Sequence, residues 1–381
     1  MRGEGRCPGV VFVTSYPKDP TGSISGPQRV MRSLVHALRD LGHDIEVWSS
    51  PYDHLFRRRT VIDDEGVRVA FVSPWVLIRV ALRSPSSVLH IGSFSLFHVV
   101  PLLVRRLLGH VRPIGPIVYT AHGILAVEAR EGYRTVPLVT ELVERILIRA
   151  SDRIMVLSNQ MADDIVQRFG VPRNKISVIA AAVPEEFLSI GDPANANGVA
   201  DPAFLYVGGL HPTKGLDMLA QATSKLHEAD PRRPWTVRVA GEPYPTWEPP
   251  SEWGPLIDRG RIQLLGSLST EELKVAYREA ICLLLPSRRE SFGMVVLEAM
   301  ALGTPAIVSD RVGAKDLIEE GRSGIVVPYG DDEGLAKAMK WILDDPERAR
   351  EMGREARRRV IRRTWTDTAR LHVEGYGCCP R

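Results

Sequence analysis

Two glutamates in the second half of the chain flank a loop at a spacing that suits one extended ligand. In PSRRESFGMVVLEAMALGTPAIVSD (286–310), Glu290 precedes a predicted helix and Glu298 lies about two turns into it. Backbone N–H groups from Gly293 to Val295 open that helix and are available to an anion such as a phosphate. The segment predicts a site for a phosphate-linked ligand, and a pair of solvated carboxylates is the alternative explanation.

A lysine in a glycine-rich turn is a second candidate. YVGGLHPTKGLDMLA (206–220) places Gly208, Gly209, Lys214 and Gly215 between an apolar run and a helical pattern. Glycines let a ligand approach the backbone closely, and the lysine ammonium supplies a point charge for a diphosphate. The turn therefore predicts an anion site, with a solvated surface lysine as the alternative.

In the first half, one glycine and two histidines follow apolar runs. Gly26 precedes a helix that begins near Pro27, an arrangement that favours phosphate or a polar sugar, although a plain turn explains it equally well. The loop is not a G-x-G-x-x-G sequence, so a nicotinamide cofactor is not supported. His122 in PIVYTAHG and His90 in SVLHIGS are predicted at the rim of a sheet, or else in packed interior.

Alternating apolar runs and helical patterns predict two doubly wound α/β domains, because such runs form parallel strands that helices cover. The predicted strands are 9–16, 44–50, 67–73, 87–93, 116–123, 153–158, 203–209, 236–241, 262–267, 281–287, 305–310 and 324–329. Each segment singled out above follows a strand, and the carboxyl ends of both sheets are expected to face one cleft.

The composition and one polar segment suggest the domain limits. A chain of 381 residues exceeds one ordinary hydrophobic core. GDPANANGVADP (191–202) is predicted as a linker between an acceptor-side domain, 1–190, and a donor domain, 203–363, and the terminal helix, about 364–381, is predicted to pack on the first domain. A net charge of +3 does not support nucleic-acid binding, and four cysteines without metal-ligand spacing favour a reducing, cytoplasmic setting.

On these residues the chain resembles the family 4 nucleotide-sugar glycosyltransferases, retaining enzymes of the GT-B fold with two Rossmann-like domains. Its longest matching segment is 290–343, which contains the E-x7-E pattern of Glu290 and Glu298. Further matches follow in the family's order: GHDIEVW (42–48), YTAHG (119–123), SDRIMVLSNQMADDI (151–165) and VGGLHPTKG (207–215).

The resemblance implies a role for each matched residue. Glu290 and His122 would contact the donor sugar, Glu298 the ribose and Lys214 the diphosphate. Gly26 would let its loop close over the donor. Backbone N–H groups would hold phosphates or sugar hydroxyls at Phe292, Gly293, Met294 and Val295. The donor would be a UDP- or GDP-linked hexose and the acceptor a glycan, a lipid-linked sugar or a small molecule, with no metal and no other cofactor.

The sequence departs from the family pattern at two places. Gly209 stands where the family commonly has an arginine, and AAAVP (180–184) stands where it commonly has P-N-G-V-D. We hypothesise that Arg288 or Arg289 supplies the missing guanidinium. A non-catalytic binding protein and a sugar-nucleotide epimerase remain as alternatives.

The acceptor side has its own alternative. The apolar segments 72–84 and 99–112 carry Arg79, Arg83, Arg105 and Arg106. They are predicted either as ordinary helices that cover the sheet or as a surface for peripheral contact with an anionic membrane.

Overall fold

The computed structural model describes residues 9–19, 25–49, 60–73, 75–83, 87–95, 97–110, 114–131, 135–188, 202–245 and 247–377. Contacts divide the chain into a first unit, Met1–Ala181 with Thr364–Arg381, and a second unit, Ala182–Arg363. The predicted linker, 191–202, lies outside the described residues except for Pro202, and so do Cys378 and Cys379.

The first unit is built on one mainly parallel sheet. Its strands are β1 (Val10–Thr14), β2 (Ile45–Ser49), β3 (Thr60–Asp64), β4 (Val67–Phe71), β5 (Val88–Ile91), β6 (Ile117–Ala121), β7 (Arg153–Val156) and β8 (Ile176–Val178). They are ordered β3-β4-β2-β1-β5-β6-β7-β8, and only β3 runs antiparallel to its neighbour in the described part of this sheet. The helices that follow are α1 (Gly26–Asp40), α2 (Val76–Arg83), α3 (Val99–Leu108), α4 (Leu125–Arg130), α5 (Leu138–Ala150) and α6 (Asn159–Phe169).

The second unit is built on a parallel sheet whose order reverses near its middle. Its strands are β9 (Ala203–Val207), β10 (Thr236–Ala240), β11 (Ile262–Gly266), β12 (Cys282–Leu285), β13 (Ala306–Ser309) and β14 (Gly324–Val327). The order is β11-β10-β9-β12-β13-β14. Successive strands are thus added on one side of β9 up to β11 and on its other side from β12 onward. In doubly wound sheets ligands bind beyond the carboxyl ends of the strands at such a switch point.

Helices α7 to α12 surround the second sheet, and the last helix returns to the first unit. Their bounds are α7 (Leu216–Ala229), α8 (Gly254–Asp258), α9 (Thr270–Glu279), α10 (Met294–Ala301), α11 (Asp332–Asp344), α12 (Pro346–Val360) and α13 (Trp365–Tyr376). Helix α12 packs on α10, whereas α13 packs on α1. No helix in the described ranges is both long and apolar enough to cross a bilayer.

The predicted fold class is confirmed, and all twelve predicted runs contain strands. Two strands were not predicted, β3 and β8. Strand β3 pairs with β4 through the two-residue turn Glu65–Gly66, whose φ values of 50° and 88° are both positive. This turn type matches the twist of a hairpin, so TVIDDEGVRVAF (60–71) carried a signal that the strand prediction missed.

Two of the four arginines assigned to a membrane-facing surface are instead bound within the protein. Arg105 is buried, and its Nη1 donates to the carbonyl oxygen of Ser87 at 2.5 Å. Arg106 pairs with Asp152 at 2.7 Å. Arg79 is exposed, and the side chain of Arg83 lies outside the described residues. Of the two alternatives for segment 99–112, Arg105 therefore fits a helix that covers the sheet, and the alternative that it faces an anionic surface is wrong.

Candidate active site

The turn that carries Lys214 packs against the end of β12 because the next residue is a glycine. Gly215 has a φ of 69°, and a Cβ placed there would lie 1.8 Å from the carbonyl oxygen of Pro286. A side chain at this position would collide with backbone, which cannot move aside as a flexible side chain can. The close approach brings Lys214 to the loop that follows β12.

Lys214 and Glu290 form an ion pair at the switch point of the second sheet. Nζ of Lys214 lies 2.5 Å from Oε2 of Glu290, and the two side chains are 26% and 22% exposed. A half-buried pair is less screened than a surface pair, yet both groups remain accessible to a ligand. The pair offers a cation and a hydrogen-bond acceptor together, as a ligand with both phosphate and hydroxyl groups requires.

Backbone hydrogen bonds fix the loop that carries Glu290. The N–H of Arg288 donates to the carbonyl oxygen of Thr213 at 2.9 Å. The N–H of Glu290 donates to Arg311 at 3.1 Å, and Gly313 donates back to the carbonyl of Glu290 at 2.9 Å. The main chain at Glu290 is therefore held between the Lys214 turn and the segment after β13.

Helix α10 begins directly after this loop and presents its N-terminus to it. Gly293 is the N-cap residue with a φ of 97°, and it lacks a side chain that could cap the helix. A Cβ on Gly293 would lie 3.4 Å from Cγ of Glu290, so the helix start is next to that glutamate. The first N–H groups of α10, including those of Met294 and Val295, have no acceptor within the helix and form the positive end of its dipole.

Glu298 lies a little more than one turn into α10 rather than the predicted two. The helix starts only at Met294, because the left-handed conformation of Gly293 prevents its extension toward Glu290. Glu298 is buried, and its Oε2 accepts a hydrogen bond from the hydroxyl of Tyr277 at 2.9 Å. Tyr277 of α9 therefore fixes this carboxylate, a role that no sequence pattern indicated.

Gly209 has room for a larger residue. A Cβ on Gly209 would have no heavy atom within 4 Å, whereas one on Gly241 would lie 1.9 Å from the carbonyl oxygen of Gly208. The hydroxyl of Tyr206 donates to the carbonyl oxygen of Gly209 at 3.2 Å, a hydrogen bond that stabilises this turn. The absence of an arginine at 209 is therefore not imposed by packing.

Arg288 joins two neighbouring segments through its side chain. Its Nη2 donates to Oδ2 of Asp217 at 2.9 Å, and its Nε donates to the hydroxyl of Tyr329 at 2.6 Å. Its guanidinium also lies 5.4 Å from the centre of the Tyr329 ring. Arg288 is thus held by Asp217 and Tyr329. The hypothesis that Arg288 or Arg289 supplies a guanidinium to a diphosphate stays a prediction.

In the first unit, His122 follows β6 and is held as a neutral imidazole. Its Nε2 lies 3.0 Å from the carbonyl oxygen of Gly92, which can only accept, so Nε2 carries the proton. Burial lowers the pKa of His122 to about 4, although the hydrogen bond to Gly92 opposes this shift. Its Nδ1 is a buried acceptor without a partner among the described residues.

His90 is a core residue in this structure, which corrects its predicted position at the rim. It lies inside β5, is fully buried, and burial lowers its pKa well below the usual value. Its Nε2 lies 2.7 Å from Oγ1 of Thr120 and its Nδ1 lies 3.0 Å from the hydroxyl of Tyr376. Its Nδ1 therefore serves the packing of α13 on the sheet and its Nε2 the pairing of β5 with β6, so both ring nitrogens are engaged in the core.

Gly26 is the first residue of α1 in the first unit. A Cβ on it would meet no heavy atom within 4 Å, and the preceding residues 20–24 lie outside the described part of the chain. The predicted closing of its loop over a donor stays a prediction. Across the described residues, no three side chains of His, Cys, Asp or Glu come together as a set of metal ligands.

Comparisons with known proteins assign both halves of the chain. Residues 24–187 match the model "Glycosyltransferase Family 4", and residues 193–359 match "Glycosyl transferases group 1". The D-inositol 3-phosphate glycosyltransferase of Nocardia farcinica is 30% identical over 274 residues, which cover 68% of this chain and 61% of that protein. The match thus spans about three fifths of the length of that relative.

Solved structures show the same fold. Sucrose-phosphate synthase from Thermosynechococcus elongatus has a TM-score of 0.74 at 21% identity, covering 97% of this chain and 98% of that one. Anabaena HepE in complex with UDP and glucose has a TM-score of 0.72 at 16% identity, covering 97% and 99%. The two family models, which together match residues 24–187 and 193–359, show that the chain belongs to the family 4 glycosyltransferases. The solved structures show that it has the GT-B fold.

Proposed function

We propose that this protein is a retaining glycosyltransferase that moves a hexose from UDP or GDP to an acceptor hydroxyl. The observation that carries the proposal is the Lys214–Glu290 pair at 2.5 Å, placed at the sheet's switch point beside the N-terminus of α10. A cation and free backbone N–H groups suit a diphosphate, and a carboxylate suits sugar hydroxyls.

In this proposal the donor is held by the second unit in three parts. The ammonium of Lys214 leaves Glu290 for the diphosphate, and the N–H groups at the start of α10 bind the same phosphates. Glu290 then accepts hydrogen bonds from the hexose hydroxyls. Glu298, fixed by Tyr277, accepts from the ribose hydroxyls. For His122, a neutral imidazole in the first unit, contact with the donor sugar stays a prediction.

The reaction breaks the bond between the anomeric carbon and the diphosphate oxygen. Positive charge develops on the sugar ring while negative charge grows on the leaving diphosphate, which Lys214 and the α10 dipole stabilise. The acceptor hydroxyl attacks from the face that the leaving group vacates, so configuration is retained, and its proton passes to the departing phosphate oxygen. Because protein cations fill the role of a divalent ion in this scheme, we propose that transfer needs no metal.

The identity of the acceptor is a separate part of the proposal. The name of the Nocardia relative makes a phosphorylated polyol one probe for an acceptor screen. A lipid-linked acceptor is the second candidate, since Trp75 before α2 and Leu107 of α3 are 67% and 71% exposed. Flotation with vesicles of anionic or zwitterionic phospholipid tests whether the protein binds a membrane surface. Absence of the protein from both vesicle fractions would rule out peripheral membrane contact. The proposed setting is the cytoplasm.

Thermal melting with nucleotides tests the donor site. A ligand that binds only the folded state raises the melting temperature in proportion to the logarithm of its concentration over Kd. We expect UDP or GDP, but not ADP, to raise it, with and without EDTA. A rise that EDTA abolishes would refute metal independence, and no rise with any nucleotide would favour a non-catalytic protein.

Product analysis separates the two remaining alternatives. A transferase hydrolyses its donor slowly without acceptor and transfers the sugar, with retained configuration, when acceptor is present. An epimerase would convert the nucleotide sugar into an isomer instead. Chromatography and NMR of the product distinguish these outcomes, and an inverted anomeric centre would overturn the retaining mechanism.

A further inference from the structure

A cavity of about 530 Å³ lies in the second unit next to the proposed donor site. The N-terminal ends of α7 and α11 and the segment after β10 bound it. Its lining, within the described residues, includes none of Lys214, Glu290 and the first turn of α10. Its volume falls in the range of small-molecule sites in proteins. It is therefore a second candidate pocket, separate from the ion pair.

Aromatic and aliphatic side chains form part of its wall. Trp247 and Tyr329 are half-buried and line the cavity, together with the buried Leu216. Aromatic rings of this kind offer flat apolar faces with a polar edge. The C–H faces of a pyranose ring are suited to pack on such surfaces.

The polar part of the lining carries more carboxylates than cations. Asp217, Glu252 and Asp332 line the cavity with one guanidinium, that of Arg288. Oδ2 of Asp217 binds this guanidinium, whereas Oδ1 has no hydrogen-bond partner among the described residues, and the side chain is 57% exposed. Oε1 of Glu252 accepts from Nε2 of Gln221 at 2.6 Å. The lining therefore presents acceptors for hydroxyl groups.

This combination discriminates between classes of ligand. The lining carries three carboxylates and one guanidinium, and Lys225, outside the lining, pairs with Asp332 at 3.4 Å. The excess of carboxylates favours hydroxyl donors over a phosphate at this surface. A purely apolar ligand would bury the carboxylates without partners, which is costly. A neutral molecule with apolar ring faces and many hydroxyl donors satisfies both the aromatic walls and the carboxylates.

We propose that this cavity is a saccharide-binding site, with sugar rings packed on Trp247 and Tyr329 and hydroxyls donated to Asp217 and Glu252. The site goes beyond the proposed donor site and does not depend on it. It shares one wall with the Lys214 turn, since His211 lines the cavity and its Nδ1 accepts the N–H of Thr213 at 3.2 Å. A bound saccharide thus lies beside the turn and leaves the diphosphate position open.

Calorimetric titration with neutral trisaccharides tests the proposal on the full chain. The probes are maltotriose, cellotriose, mannotriose and chitotriose, with glucose 6-phosphate and spermidine as an anionic and a cationic comparison. We expect at least one neutral trisaccharide to bind and Trp247→Ala to weaken it by about tenfold or more. Trp247→Phe, which keeps a ring, should restore most of the affinity.

A matched control separates this site from a general surface effect. Trp341 on α11 is 39% exposed and does not line the cavity. Trp341→Ala should therefore bind the trisaccharide as the parent protein does. No binding of any neutral trisaccharide, equal losses in both alanine variants, or preference for glucose 6-phosphate or spermidine would overturn the proposal. The UDP- or GDP-induced rise in melting temperature, measured in the same variants, reports the donor site independently.

Discussion

Lys214 presents its ammonium group to Glu290 and, in the proposed reaction, to the departing diphosphate. Replacing it with alanine removes one preorganised charge that stabilises the transition state, so we expect turnover to fall about 100-fold. Initial rates at saturating donor measure this. Lys337→Ala is the control, because Lys337 is 73% exposed and pairs with Glu333 of its own helix. Near-normal turnover of Lys214→Ala would remove the lysine from the mechanism.

Gly209 is a residue at which the proposed site can be improved. No heavy atom lies within 4 Å of a Cβ there, so Gly209→Arg should fold and add a guanidinium near the diphosphate. We expect the variant to bind the nucleoside diphosphate about tenfold more tightly, because charge-assisted hydrogen bonds to phosphate are strong. Gly209→Gln, which is long but neutral, is the control in the same titration. Equal affinities of the two variants would place Gly209 away from the phosphates.

At the scale of elements, the Lys214 turn packs against the end of β12, and this contact brings Lys214 close enough to Glu290 to form the ion pair. Gly215→Ala imposes a left-handed conformation on alanine and a Cβ 1.8 Å from the carbonyl of Pro286. Gly260→Ala imposes the same φ of 69° with no neighbour within 4 Å. We expect Gly260→Ala to lose about 1 kcal/mol of stability and to keep its activity. Gly215→Ala should lose more stability and most turnover.

Chemical unfolding and initial rates of these two variants check this. If Gly215→Ala and Gly260→Ala lose the same stability and Gly215→Ala stays active, the contact with the carbonyl of Pro286 affects neither stability nor turnover. In that case the close approach is not what positions Lys214.

At the scale of the whole molecule, buried histidines make the first unit sensitive to acid. Burial lowers the pKa of His98, His122 and His372 to about 4, and that of His90 well below its usual value. Since the unfolded chain protonates its histidines near 6.5, it binds more protons than the folded state below that pH. Stability is therefore complete above about 6.5 and decreases as the pH falls toward 4, by up to about 1.4 kcal/mol per pH unit for each group.

Denaturant unfolding above and below pH 6.5, with hydrogen exchange followed by mass spectrometry, measures this dependence. Exchange should accelerate first in peptides of the first unit, which contains all four of these histidines. His372→Phe removes one titrating group. The slope of the unfolding free energy against pH should therefore decrease by the contribution of about one proton. A stability that does not change between neutral pH and about 5 would contradict the burial of neutral imidazoles.

The sequence by itself determined most of the fold, because buried parallel strands are continuous apolar runs that alternate with amphipathic helices. It also determined the family, through the order of the segments around His122, Lys214 and Glu290. Strand β3 escaped prediction because TVIDD mixes apolar and charged residues. Its Asp64 is buried, and it contacts Tyr16 of the loop after β1 and Arg32 and His36 of α1.

Only the tertiary structure decided which chemical groups meet. Lys214 and Glu290 are 76 positions apart and pair because the sheet order reverses between β9 and β12 and Gly215 permits close packing. His90 and His122 end similar apolar runs, yet one is a core residue and the other lies at the end of a strand. His90 contacts Tyr376, 286 positions away, and such a contact between distant parts of the chain leaves no local pattern in the sequence.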